Sequence, residues 1–318
     1  MSSKTLGNQT VLQAIGNTPL VKLRKLLPPN SADVFVKLEY YNPTGSYKDR
    51  MALTIIEEAE CRGVLRPGMT VVECTGGSTG SSLALVCAVK GYRFHVVSSN
   101  AFSREKLQTM RAFGATLELV NSPSGMITPD LILSMMRRAE ELAKAKDTYY
   151  SNQFYNHDSL VGYKHIGLEL LAQLPQGVDA FCGGVGIAGM LMGVARALRG
   201  VRPSTRIIAL EPASSAIIST GKVGSHHVEG LGAGFIPPLL DKAYYDEAWG
   251  IDETEARRMC LRLAREEGIF AGTSTGVNVI GALRLASELG PGHTVATVAV
   301  DTGLKYLAED LYGMNEDG

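Results

Sequence analysis

The chain has one tryptophan in 318 residues, five cysteines and no apolar run long enough to cross a bilayer. Cys61, Cys74, Cys87, Cys182 and Cys260 are odd in number, scattered and free of C-x-x-C spacing. That pattern excludes a disulfide framework and a zinc site, so no metal is expected, and it suits a reducing cytosol. Charge of one sign is also missing: 31 basic residues face 32 acidic ones, without a long like-charge run. Neither nucleic acid nor a membrane surface is therefore expected as a partner. The start, Met1 to Leu6, lacks the apolar core of a signal peptide, which points to a cytoplasmic location. The adjacent His226 and His227 have no clustered third ligand and read as loop residues.

What the chain does have is apolar residues at 45% and glycine at 35 positions gathered in a few loops. It can bury two domains or one large α/β unit. Strand-like runs at Val34–Leu38, Thr70–Glu73, Phe94–Ser98, Thr116–Val120, Ala180–Cys182, Arg206–Leu210 and Thr294–Val300 alternate with helical patterns. The helices are expected at Asp49–Cys61, Ser81–Lys90, Ser103–Phe113, Pro129–Lys144, Ser159–Ala172, Met190–Leu198, Glu253–Glu267 and Gly276–Leu289. Such alternation predicts mostly parallel sheet with helices on both faces.

Four segments carry chemistry. Lys48, in Asn42-Pro-Thr-Gly-Ser-Tyr-Lys-Asp-Arg50, stands where a Pro/Gly turn opens a helix. An amine placed there can reach into a cleft and form a Schiff base with an aldehyde cofactor; the bland alternative is a surface lysine. Thr75-Gly-Gly-Ser-Thr-Gly80 joins a strand to a helix and offers bare N–H groups and small hydroxyls to an anion. Gly183-Gly-Val-Gly-Ile-Ala-Gly189 does the same and contains Gly184-x-Gly186-x-x-Gly189, with Glu211 ending the next strand. It fits a phosphate cradle, and also a dinucleotide-binding turn with Glu211 on the ribose. Ala271-Gly-Thr-Ser-Thr-Gly276 leads into the last long helix, and its hydroxyls can either cap that helix or face a heteroaromatic nitrogen.

Taken together, and with Ile15–Leu20, Asn152-Gln-Phe154 and Glu229–Pro237, these segments resemble the fold type II (tryptophan synthase β-like) pyridoxal-phosphate enzymes, cysteine synthase family, from about Ile15 to Leu307. The resemblance implies two open twisted, mostly parallel sheets flanked by helices, with the cofactor in an interdomain cleft. It implies a larger cofactor-binding domain, 1–44 with 154–318, and a smaller mobile substrate-binding domain, 45–153. Lys48 matches the lysine that holds pyridoxal 5'-phosphate as an aldimine and then serves as acid and base. Gly186, Ile187, Ala188, Gly189 and Met190 match the phosphate loop, Ser274 the partner of the pyridine nitrogen, and Ser78 a position beside the cofactor's ring oxygen. Thr75, Gly76, Gly77, Thr79 and Gln153 match residues that grip the substrate carboxylate, and Gly230 belongs to a loop lining the substrate mouth. A homodimer is implied as well.

The chain also departs from the family. Ser78 stands where asparagine is usual, Ile187 and Met190 where threonines supply phosphate hydroxyls, and Gly76 where serine is common. The activity expected is β-replacement on an amino acid carrying a β-leaving group, such as O-acetylserine or O-phosphoserine. Sulfide or another nucleophile would attack an aminoacrylate. Elimination and deamination of serine, threonine or a related amino acid is the alternative within the cofactor class. A nicotinamide-dependent oxidoreductase, carried by Gly184–Gly189 with Glu211, and a non-catalytic binding protein are the alternatives outside it.

Overall fold

The computed structural model describes residues 10–126, 128–308 and 310–313. The strands run β1 (Leu20–Lys22), β2 (Asp33–Leu38), β3 (Thr70–Cys74), β4 (Arg93–Ser99), β5 (Thr116–Val120), β6 (Thr148–Tyr150), β7 (Ala180–Gly184), β8 (Arg206–Pro212), β9 (Glu247–Ile251) and β10 (Thr294–Ala299). The helices are α1 (Lys48–Cys61), α2 (Ser78–Lys90), α3 (Arg104–Ala112), α4 (Pro129–Ala143), α5 (Asp158–Gln173), α6 (Gly189–Val201), α7 (Ile217–Thr220), α8 (Glu253–Arg262) and α9 (Thr273–Leu289). A π-helical turn, Leu263–Glu267, continues α8.

Every strand and helix expected from the sequence forms, with ends moved by a few residues. The largest shifts are informative. Helices α2 and α9 each begin inside their glycine- and hydroxyl-rich loops, so those loops are first helical turns. Strands β1, β6 and β9 and helix α7 were not foreseen, being too short or too glycine-interrupted to show a period.

The chain divides into two compact units: the described residues up to Asn17 with Asn42–Asn152, and Thr18–Tyr41 with the described residues from Gln153 onward. In the first, the sheet order is β5-β4-β3-β6 and each pairing is parallel. In the second it is β1-β2-β10-β7-β8-β9, with β1 antiparallel on β2 and the other pairings parallel. Strands β7 and β10 are buried throughout, as sheet covered on both faces requires. Val71, Leu83, Val86, Phe94, Val96 and Met110 belong to the first unit's core, and Val34, Cys182, Ile208, Leu210, Val277 and Val295 to the second's. The single tryptophan, Trp249 on edge strand β9, lies under the guanidinium groups of Arg284 and Arg206, 4.0 and 5.4 Å from its ring centroid.

Two features of the second unit fix where α6 starts. Helices α5 and α6 meet at glycines: a methyl on Gly193 would lie 2.7 Å from the Leu160 carbonyl oxygen, and one on Gly167 2.6 Å from the Ala197 Cβ. Lys37 on β2, fully buried, pins α5 to the sheet. Its Nζ is 2.8 Å from Glu169 Oε2 and donates to Gln173 Oε1 and the Thr18 carbonyl, each at 2.9 Å. A buried ammonium is tolerated only when its donors are engaged in this way. No helix among the described residues is long and apolar enough to cross a membrane.

None of the five cysteines is in a disulfide, and only Cys61 is exposed. Burial pushes the Cys87, Cys182 and Cys260 thiols up to about 12. Cys74 rises too, through burial and the neighbouring Glu73 charge. Thiolate is the reactive form, so a native titration with an aromatic disulfide reagent at pH 8 should count one fast thiol, and five after denaturation. A second fast native thiol would contradict this burial. Gly193→Ala should destabilise by about 1–3 kcal/mol through overpacking, read as a lower Tm.

Candidate active site

In the first unit, Pro43 and Gly45 (φ 73°) turn the chain after Asn42, and Gly45 N–H donates to the Asn42 carbonyl at 2.7 Å. Asn42 Oδ1 in turn accepts from Gly16 N–H at 2.9 Å, tying the turn to the segment before β1. Asp49 accepts from Thr44 N–H at 2.8 Å and from the Thr44 hydroxyl, so the turn is locked onto the first residues of α1. Lys48 is the first residue of α1, 9% exposed, with Nζ 4.9 Å from the centroid of the buried Tyr47 ring. The lysine is therefore held in a nearly closed position and does not lie along a solvated helix face.

The Thr75–Gly80 segment follows β3 in the same unit. Thr75 N–H bonds to the Val97 carbonyl at 3.0 Å, and Gly77 N–H to Thr75 Oγ1 at 3.3 Å. Helix α2 then starts at Ser78 with Gly77 at its N-cap. Thr75 and Thr79 are buried and Ser78 is half-buried. Thr44 Oγ1 lies 3.3 Å from Ser82 Oγ, which joins the lysine turn to the first turns of α2.

In the second unit, β7 runs into Val185–Ala188 and α6. Ala188 is the N-cap in the left-handed region, φ 65°, and the first helical bond is Met192 N–H to the Ala188 carbonyl at 3.0 Å. Gly186 is obligatory: a Cβ there would lie 2.0 Å from the Gly230 carbonyl oxygen. Gly232 N–H donates to the Val185 carbonyl at 3.1 Å, so the Gly230 loop is laid across the glycine loop. Beneath it Asn278 of α9 accepts from Gly184 N–H at 2.7 Å and donates to the Val298 carbonyl at 2.9 Å. Sequence reading missed Asn278, because a lone asparagine inside a helix carries no pattern. The Phe154 and Phe235 rings meet at a tilt of 45° with centroids 5.7 Å apart, bringing the neighbour of buried Gln153 to the same Glu229–Pro237 segment.

Ser274 is the second residue of α9, 3% exposed, and its hydroxyl has no protein partner among the described residues. Thr275 Oγ1 instead accepts from Val300 N–H at 3.0 Å. Asp301 abuts Gly272, takes the Tyr306 hydroxyl at 2.9 Å on Oδ2, and leaves Oδ1 buried without a partner. The following short helical turn is capped by Thr302.

Two sequence readings change. Glu211 does not face a ribose: it is 1% exposed, and its carboxylate accepts from the N–H groups of Ile218 and Ser219, each at 2.8 Å, and from the Ser219 hydroxyl at 2.6 Å. Its charge is spent on the start of α7, so the dinucleotide pattern loses its acidic partner. Met190 presents no side chain to the loop's outer side, since its methyl reaches back to within 2.5 Å of a Cβ built on Gly183. What position 190 offers an anion is its main chain. His226 Nε2 lies 3.0 Å from the Gly232 carbonyl oxygen and His227 Nδ1 3.3 Å from Glu253, so both are loop fasteners.

The helix starts differ in how their first amides are met. Ser103, Thr128 and Asp252 cap α3, α4 and α8 with their side chains. Helices α1, α2, α5, α6, α7 and α9 have no cap from the N-cap side chain, although Lys48 N–H donates to Ser46 Oγ at 3.3 Å at the start of α1 and Asp158 N–H to Asn156 Oδ1 at 3.0 Å at the start of α5. First-turn amides without a side-chain partner are what an anionic ligand requires. The first unit supplies a buried amine and one uncapped glycine-loop helix start, and the second unit supplies another such start and the buried Ser274 hydroxyl; these donor types fit the groups of pyridoxal phosphate and an amino acid. The loop's missing threonine hydroxyls weaken that fit by about 1.5–3 kcal/mol for each charge-assisted bond not made.

Ala188 carries a Cβ in a conformation that disfavours one by about 1–2 kcal/mol. Ala188→Gly should therefore raise Tm by a few degrees or leave it unchanged, and Ala188→Val should lower it. A drop in Tm with glycine would contradict the left-handed assignment.

Comparison with known proteins agrees with this geometry. Residues 11–301 match the family described as pyridoxal-phosphate dependent enzyme. A cysteine synthase of Staphylococcus aureus is 42% identical over 318 residues, covering 99% of this chain and 100% of its own. An O-ureido-L-serine synthase of Streptomyces lavendulae is 38% identical over 311 residues, 97% of this chain and 94% of its own. The crystal structure of a cysteine synthase from Entamoeba histolytica superposes with a TM-score of 0.91 at 33% identity, covering 100% of this chain and 94% of that one. With its lysine turn, its glycine loops and its two parallel sheets, the chain belongs to the pyridoxal-phosphate-dependent enzymes of fold type II, among the relatives of cysteine synthase.

Proposed function

We propose that the chain catalyses β-replacement on an amino acid with a leaving group on Cβ, O-acetylserine or O-phosphoserine, taking sulfide or another small nucleophile as acceptor. The observation that carries this reading is the pairing, inside one unit, of buried Lys48 with the uncapped start of α2 through Thr44 and Ser82. An amine for proton transfer and a seat for an α-carboxylate are what amino-acid chemistry at Cα and Cβ needs. The relatives named cysteine synthase and O-ureido-L-serine synthase both make β-substituted alanines, by their names with different acceptors.

Pyridoxal phosphate, when bound, supplies the electron sink that makes the α-proton removable. The chain's residues do the rest. Lys48 Nζ takes the proton from Cα and is placed to return it. The amides of 76–79 with the hydroxyls of Thr75 and Thr79 hold the carboxylate and so orient the Cα–H and Cβ–leaving-group bonds. The amides of 186–190 hold the phosphate. Ser274 would meet the pyridine nitrogen with a neutral hydroxyl and not a carboxylate, a partner that would not hold a proton on that nitrogen and would suit loss of the β-group. On this reading the smaller unit binds substrate and the larger one binds cofactor, and the enzyme is a cytoplasmic homodimer.

Borohydride reduction of the holoenzyme followed by peptide mass spectrometry should place the cofactor on Lys48. Lys48→Ala should lose that adduct and at least about 10³-fold in turnover. An adduct on another lysine would overturn the assignment. Assays of O-acetylserine, O-phosphoserine, serine and threonine, with and without sulfide, should give a β-substituted product; a keto acid and ammonia as sole products would replace the reading with elimination.

A further inference from the structure

A Cβ built on Gly76 falls 1.9 Å from Phe102 Cγ and 2.1 Å from both Cδ atoms. The volume that any other residue would fill at position 76 is thus already taken by an aromatic ring. The loss of a side chain in the Thr75–Gly80 loop, visible in the sequence as a missing hydroxyl, is in the fold an exchange of a hydroxyl for a phenyl face.

The ring is not there by chance of a loose loop. Phe102 follows β4, the strand beside β3, so both residues leave the carboxyl ends of adjacent parallel strands, where α/β sheets bind ligands. Its turn is closed by Phe102 N–H to the Ser99 carbonyl at 3.3 Å and Ala101 N–H to Ser99 Oγ at 3.2 Å. Asn100 ties it to the end of β5, accepting from Ser122 N–H at 2.7 Å and donating to the Ser122 carbonyl at 3.1 Å. Ser103, the next residue, caps α3. The ring is half-buried while Gly76 is buried, so the ring covers the loop and keeps part of itself accessible.

We infer that Phe102 is a specificity-determining residue of this enzyme: its ring forms an apolar wall on the carboxylate-binding loop and requires glycine at position 76. The inference rests on the carboxylate role proposed above for residues 75–79. A wall of this kind offers no hydrogen bond to the amino acid. It contributes by excluding water from the loop amides, which strengthens their hold on an anion, and by leaving room only for a compact carboxylate. Phe102 and Gly76 then act as one unit, and changes at the two positions must be non-additive.

The test is a double-mutant cycle on the holoenzyme with Phe102→Ala, Gly76→Ser and both together, and Phe102→Leu as a milder fourth variant. Amino-acid binding is read from the shift of the cofactor's visible band on titration with O-acetylserine and L-serine, and Tm is read on each variant. Phe102→Ala and Gly76→Ser should each weaken amino-acid binding about tenfold with the unliganded spectrum unchanged. The double variant should bind no worse than either single one and should melt above Gly76→Ser, because the ring no longer opposes the serine. If Phe102→Ala does not fold, Phe102→Leu should still weaken binding severalfold at a near-native Tm. Unchanged affinity in Phe102→Leu and Phe102→Ala, or strictly additive losses in affinity and Tm, would overturn the inference. A wild-type spectrum that no amino acid moves would instead overturn the carboxylate role on which it rests.

Discussion

A helix that starts at the carboxyl end of a parallel strand, with no cap from its N-cap side chain, is the arrangement from which both of the strand-to-helix glycine loops are built. Helices α2 and α6 begin in this way, after β3 and β7; α9, which follows the π-helical turn, also lacks a side-chain cap. The scaffold helices α3, α4 and α8 spend Ser103, Thr128 and Asp252 on the same need. Each missing cap is a local cost of order 1 kcal/mol that sheet packing carries, and an uncapped start is backbone that can seat an anion.

Glycines hold those seats in register. Gly193 and Gly167 let α6 settle against α5, Gly186 lets the Gly230 loop lie across it, and Asn278 reaches up from α9 to the end of β7. In the other unit the lysine turn is fastened by Asp49 and Thr44, and Thr44 meets Ser82 of α2. At Gly193 and Gly186 the nearest atom across the contact is a main-chain carbonyl oxygen, so the backbone there has no flexible side chain to push aside and cannot drift. The chemistry thus depends less on polar side chains than on where bare backbone is allowed to come near.

That balance explains how apolar residues can stand in these loops while the fold is kept. Ile187 and Met190 withdraw hydroxyls from the loop, and Met190 turns its thioether to Gly183 to fill the sheet's own packing. Gly76 withdraws another, and Phe102 takes its space. In each case a polar contact is exchanged for apolar packing while the amides stay. Glu211 shows the converse: a motif of the right spacing means nothing once its carboxylate has been recruited to cap a short helix.

The sequence by itself determined the alternation of strands and helices, the parallel sheets, the lysine turn and the glycine loops, because periodicity and turn chemistry are local. It also marked Lys48, Ser274 and the loop residues, whose order along the chain is specific. It did not show β1, β6 and β9, whose few residues pair only because a longer strand lies beside them. Nor did it show Asn278 under Gly184, the carboxylate of Glu211 on α7, or Phe102 filling the place beside Gly76. Those contacts join residues far apart in the chain, and only the packing of strands and helices brings them within reach.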